Sequence, residues 1–256
     1  MEYLTLDVEG VILAFVLAFI MIFVATFSEP TIVYGWLLGI YYVLVMIYFL
    51  VLSTIVTKFG EQYKRSIMQY QKPRGVKNVF ANGLGPLIFV FVVFFVANSN
   101  ISNLAFIAGF MASVAAVTSD KFSSEIGVLD GSPVSIVTFK KIKKGQSGGI
   151  TLLGLGAGFI ASVLVALFAG FLYLLLLPPV YNCPLNGCGN IPSISTFALM
   201  SAVILGGFIG TIIDSVFGHF EEKGVGNKYT SNFFCSVFGG IFGIIIYFFV
   251  FNVLVA

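Results

Sequence analysis

Residues 150–177 read I-T-L-L-G-L-G-A-G-F-I-A-S-V-L-V-A-L-F-A-G-F-L-Y-L-L-L-L, without one charged side chain. At about 1.5 Å of rise per residue such a run exceeds the ~20 residues that cross a ~30 Å hydrocarbon layer. It therefore reads as a transmembrane helix long enough to tilt or to project from the bilayer. Six further apolar runs repeat the signal, giving seven spans at about 10–28, 31–57, 79–97, 101–118, 150–177, 195–217 and 232–255. Only helices and closed barrels satisfy every backbone group in lipid, so the expected fold is an all-α, polytopic transmembrane bundle.

Composition agrees. The chain is 59% hydrophobic and 9% charged, with a mean hydropathy of +1.05, against roughly 45–50% apolar residues in a soluble domain. One transmembrane domain is expected to account for residues 1–256, leaving no soluble second domain. The first run has acidic flanks (Glu2, Asp7, Glu9) and no small-residue cleavage site, which favours a retained span over a cleaved signal.

Charge placement sets an orientation. All 13 Lys and Arg fall in three connections: Lys58, Lys64, Arg65, Lys72, Arg74 and Lys77 after the second span; Lys121, Lys140, Lys141, Lys143 and Lys144 after the fourth; Lys223 and Lys228 after the sixth. Alternating spans put these connections on one side. By the positive-inside tendency that side is the cytoplasm of a cell-membrane protein, with the N-terminus inside and the C-terminus outside. The opposite face then carries C-P-L-N-G-C, Cys183 to Cys188, where an oxidising compartment permits a disulfide and leaves a pair of free thiols equally open. Cys235, inside a span, reads as packing. For the bases of residues 58–72, a flank that merely fixes topology and touches anionic lipid stands beside substrate contact.

Small residues recur at four-residue spacing: Gly154, Gly158, Ser162, Ala166 and Gly170; Gly206, Gly210, Asp214 and Gly218; Asn232, Ser236 and Gly240. Such stripes let helix backbones approach once lipid has removed the hydrophobic drive between spans. Asp214 interrupts one of them and so should face other helices.

Polar groups gather at the basic boundary in four segments: R-G-V-K-N-V-F-A-N-G (74–83), T-S-D-K-F-S-S-E-I-G (118–127), K-K-I-K-K-G-Q-S-G-G-I-T (140–151) and Asp214-Ser215, with Asn227, Ser231 and Asn232 near. Ionisable groups are costly in lipid, so their presence at span ends directs attention there. Asp120, Glu125 and Asp214 are hard oxygen ligands suited to Mg²⁺. Arg74, Lys77, Lys140, Lys141, Lys143 and Lys144 supply positive charge, and Gly145, Gln146, Ser147, Gly148 and Gly149 precede a helix N-terminus, where backbone N–H groups attract anions. The combination suits phosphoryl transfer. On a straight helix Asp120 and Glu125 stand about 140° apart, because five residues turn ~500°. Both meet one ion only if the helix unwinds between them. The competing readings are a solvated helix end for the two acids, a flexible linker with a serine cap for G-Q-S-G-G, and a cation on the helix dipole for His219, the single histidine.

These segments resemble, in order, an integral membrane family long known as a domain of unknown function, which includes transmembrane protein 19 of animals and the plastid phytyl-phosphate kinase. The matching pieces are R-G-V-K-N-V-F-A-N-G, T-S-D-K-F-S-S-E-I-G, G-Q-S-G-G-I-T-L-L-G and I-I-D-S-V-F-G, then an Asn before the last span. Lys121, Phe122 and Ser123 stand where the family has Thr-Trp-Ala, and Gln146-Ser147 where it has Thr-Asn. The resemblance implies functional positions at Asn82, Asp120, Ser124, Glu125, Gly148, Gly149 and Asp214. It also implies a CTP-dependent kinase converting an isoprenoid monophosphate, phytyl or geranylgeranyl phosphate, to the diphosphate.

The expectation is thus Asp120, Glu125 and Asp214 as Mg²⁺ ligands and catalytic groups. Arg74, Asn78, Asn82, Ser124, Lys140, Gly145, Ser147, Gly148, Gly149, Asn227 and Asn232 are expected to bind substrate or nucleotide. The expected partners are a prenyl phosphate, a nucleotide and the membrane, and not nucleic acid. A carrier of an anionic lipid or metabolite is the alternative, which should show interrupted helices in matching halves.

Overall fold

The computed structural model describes residues 6–29, 31–67, 75–97, 103–177 and 191–255. Seven of its helices are long and apolar enough to cross a membrane. They are α1 (Val8–Ser28), α2 (Ile32–Lys58), α4 (Val76–Val96), α5 (Asn103–Gly127), α6 (Leu152–Leu176), α7 (Ile191–Glu221) and α8 (Lys228–Val255); α3 (Glu61–Ser66) is a short turn of helix. The chain is an all-α polytopic bundle. Arg74, Cys183 and Cys188 lie outside the described residues, so the disulfide question falls there too. Cys235 is a buried free thiol.

The helix at the centre is α5, although it is the least hydropathic of the seven. Its Ala, Gly and Ser positions explain this: it packs against α2, α4, α6, α7 and α8, and small side chains serve close packing where greasy ones serve lipid. Nearly every residue from Leu104 to Ser119 is buried. By contrast α1 is peripheral, packs on α2 and α4, and exposes Phe15, Phe19, Phe23 and Phe27.

The small-residue stripes do face helices. Gly154, Gly158, Ser162, Ala166 and Gly170 are all buried on α6. At the α7–α8 crossing a Cβ on Gly206 would lie 2.8 Å from both Gly239 O and Gly243 N, and one on Gly210 would lie 2.8 Å from Cys235 O. These obstacles are backbone and cannot rotate away.

Three boundaries depart from expectation in ways that matter for the site. The fourth span, expected at 101–118, continues as unbroken helix to Gly127, because its polar end is still flanked by protein: a Cβ at Gly154 of α6 would lie 2.8 Å from Ser123 O. The expected unwinding between Asp120 and Glu125 does not occur. The seventh span begins at Lys228, not near 232, so Lys228 and Asn232 share one face four residues apart. Finally, residues 58–66 do not trail into the interface. Gly60, at φ 66°, ends α2 and turns the chain back into α3, which buries Lys64 completely.

The three basic connections meet at one end of the bundle. Lys144 Nζ, between α5 and α6, donates to Tyr63 Oη at 2.8 Å, and Ser147 N donates to Glu222 at 2.9 Å. Within the 128–151 connection, β1 (Val134–Ser135) pairs antiparallel with β2 (Gly149–Ile150). Strands of two residues are too short to carry a period-2 pattern.

Replacing Gly206 with Leu should lower the thermal unfolding midpoint of the detergent-solubilised protein, by an overpacking cost of about 1–3 kcal/mol. Gly156→Leu on α6, where a new Cβ meets nothing within 4 Å, should leave it unchanged.

Candidate functional site

The site begins at a helix crossing. On α7, a Cβ added to Gly210 would fall 2.5 Å from Ala116 Cβ of α5, and one residue on, Thr211 Oγ1 donates to the Ala116 carbonyl at 3.4 Å. One turn further along each of these two helices stand Asp120 and Asp214. Since both helices run toward the basic end, the near contact at Ala116 and Gly210 sets the two carboxyl groups side by side, within hydrogen-bonding reach of each other. Asp214 Oδ1 is buried and has no hydrogen-bond partner among the described residues. Two acids so close, one with a buried oxygen that no protein group satisfies, form a polar arrangement that calls for a partner.

They line a cavity of about 200 Å³ that also takes in the G-Q-S-G-G loop, the start of α6 and the start of α8. Thr151 caps α6, its hydroxyl accepting from Gly154 N at 3.0 Å, and the start of that helix borders the cavity at Thr151, Gly154 and Leu155. Lys228, in the first turn of α8, borders it as well and lies near both Asp120 and Asp214.

The glycines of the loop are required by its path. Gly145 and Gly148 both have φ 77°, a left-handed conformation that disfavours a side chain. Gly148 also lies so close to α7 that a Cβ would stand 2.6 Å from His219 N. The loop is held by acids: Ser147 N donates to Glu222 Oε1, Gln146 Nε2 to Glu222 Oε2 at 3.3 Å, and Ser147 Oγ to Glu221 at 3.5 Å. Two of its backbone donors are therefore already occupied, Ser147 N by Glu222 and Gln146 N by the Lys143 carbonyl. His219 sits in the last turn of α7, where Nδ1 approaches Ser135 Oγ at 3.4 Å.

Glu125 has different surroundings. Lys64 Nζ approaches Oε2 at 2.7 Å, Lys121 Nζ approaches Oε1 at 2.7 Å, and Thr57 Oγ1 donates to Oε1 at 3.1 Å. Lys64 also donates to the carbonyls of Val56 and Thr57 at 3.0 Å, so the end of α2, α3 and α5 are tied in one buried knot. Glu125 borders the cavity, yet both its oxygens are engaged. Among the described residues no three acid, His or Cys side chains are grouped as a metal site. The expected triad is therefore a pair, because the unbroken helix turns Glu125 away from Asp120.

Of the other expected residues, Ser124, Gly145, Ser147, Gly148, Gly149 and Asn232 border the cavity. Asn82 joins α4 to α8: its Oδ1 accepts from Asn232 Nδ2 at 3.0 Å and its Nδ2 donates to Asn78 Oδ1 at 2.7 Å. Lys140 does not border the cavity. It is exposed, and its carbonyl closes a turn with Ser135 N at 2.9 Å, so Lys144 is the base of that run that reaches in. Asn227 is exposed and caps α8, its Oδ1 accepting from Tyr229 N and Thr230 N. Lys228 was legible only through its spacing to Asn232, and Glu221 carried no signal.

A family model described as Integral membrane protein DUF92 matches residues 2–239. An uncharacterized membrane protein of Methanocaldococcus jannaschii is 32% identical over 244 residues, covering 94% of this chain and 86% of that protein. Protein PGR of Arabidopsis thaliana is 30% identical over 193 residues, 70% of this chain and 64% of PGR. No solved structure matches.

Removing one partner of a buried ion pair leaves the other unpaired, at a cost of about 3–5 kcal/mol. Lys64→Ala and Glu125→Ala should therefore each lower the unfolding midpoint strongly. Asp120→Asn and Asp214→Asn, which relieve a like-charge contact, should leave it equal or higher in the same thermal melts.

Proposed function

The chain belongs to the DUF92 family of integral membrane proteins, and from that premise we propose that it is a membrane-embedded kinase. Its acceptor is an isoprenoid monophosphate, phytyl or geranylgeranyl phosphate, and its donor a nucleoside triphosphate, CTP before ATP. The observation that carries this reading is the pair Asp120 and Asp214, with one unpartnered buried oxygen, in a cavity at the basic end that Lys228 also lines.

The donor set fits Mg²⁺, which takes one or two protein carboxylates and leaves its other positions to water and phosphate oxygens. Asp120 and Asp214 would hold it, and when bound it supplies neutralisation of phosphate charge. The chain's own groups do the rest. Lys228, near both aspartates on the cavity wall, balances the charge of anionic oxygens. The acceptor oxygen is already ionised as a phosphate, so it needs no general base. It forms the new bond to the γ-phosphorus as the bond to the nucleotide's bridging oxygen breaks, releasing the nucleoside diphosphate. By the positive-inside tendency the cavity opens to the cytoplasm of the cell membrane.

Purified protein supplied with Mg²⁺, CTP or ATP, and geranylgeranyl or phytyl phosphate should yield the diphosphate. Asp120→Asn and Asp214→Asn should each reduce the rate by roughly 10²–10³, the scale of lost electrostatic stabilisation in a closed site. Lys228→Met should lower it by about tenfold or more. No product with any nucleotide, combined with flux of the lipid phosphate across liposomes, would overturn the kinase in favour of a carrier.

A further inference from the structure

A second cavity, about 110 Å³, runs between α1, α2 and α4, and its walls are apolar except at one end. Ala14 and Ala18, one turn apart on α1, line its space with small side chains, while Leu17, Met21 and Phe49 form its buried floor. Its polar end is Asn78 and Asn82. The same two asparagines and Phe49 line a neck of about 20 Å³ whose other residues include Asp120, Ser124, Lys228 and Asn232, all of them on the wall of the polar cavity. A neck of that volume is about one water across. The neck shares lining residues with both the polar cavity and the apolar groove, a narrow passage between them crossed by the Asn78–Asn82–Asn232 hydrogen-bond ladder.

We propose that this groove holds the hydrocarbon tail of the acceptor, a single prenyl chain whose phosphate end lies at the asparagine neck on the side of Asp120. The choice of headgroup rests on the kinase reading; the position of the tail rests on the passage itself. A tail moving from lipid into the groove gains no hydrophobic free energy, because lipid is as apolar as the groove. Its contribution is alignment: fixing the tail fixes the distance of the phosphate from the carboxylate pair. Pro86 adds to the neck, since it has no N–H to offer the carbonyl of Asn82 one turn earlier, leaving that oxygen without its helical donor.

The test has two arms on the full-length protein in nanodiscs. Geranylgeranyl phosphate carrying a diazirine at the tail end should label α1 between residues 14 and 21, or α2 between 43 and 50, and unlabelled geranylgeranyl phosphate should compete. In the second arm, Ala18→Phe should lower kcat/KM for geranylgeranyl phosphate by about tenfold or more, the scale on which an apolar pocket discriminates chain size. Dimethylallyl phosphate, too short to pass far beyond the neck, should change less than about twofold on the same scale. Labelling without turnover by the wild type would sink the kinase and leave the groove standing. Turnover with competed labels confined to other helices, or equal loss for both acceptors in a variant that melts like the wild type, would sink the groove and leave the kinase. Uncompeted labelling of every lipid-facing helix would mean ordinary annular contact and would also sink the groove.

Discussion

The close approach of α5, α7 and α8 is the constraint on which the rest depends. At Ala116, Gly210 and Gly239 the three helices meet with no room for another methyl group: a Cβ on either glycine would fall 2.5 Å from Ala116 Cβ. In lipid such contact is what holds spans together, and here it also positions chemistry. Because α5 and α7 run in the same direction from the crossing, each reaches its aspartate after one more turn. A wider crossing would leave two isolated buried acids, each costly and neither useful.

The same economy of structure appears around the cavity. Its roof is a loop whose left-handed glycines press against the last turns of α7, and whose serine and glutamine are held by Glu221 and Glu222. Two helix starts, α6 and α8, also border it, and they are capped by Thr151 and Asn227. Stability and chemistry are divided between neighbouring acids on α5: Glu125 belongs to a buried ion-pair knot, and Asp120, five residues earlier, belongs to the cavity.

The distribution of apolarity follows the same logic. The most hydropathic helices face lipid and the least hydropathic one occupies the centre, so the bundle inverts the soluble-protein rule of a greasy core. The outer helix α1 packs closely on α2 at Gly35 and Gly39, and the groove lies where its small residues Ala14 and Ala18 stand.

The amino-acid sequence alone determined the membrane class, the seven spans, the clustering of bases at one end and the small-residue faces, because hydrocarbon thickness and backbone satisfaction leave a chain few alternatives. It also singled out Asp120 and Asp214, since charge within a span is conspicuous. Tertiary structure decided which acids meet. Whether the end of α5 unwinds or continues depends on α6 packing against Ser123, and whether Lys64 is a surface base or a buried partner depends on α3 folding back at Gly60. Both are set by contacts between residues far apart in the chain, and no local spacing encodes them.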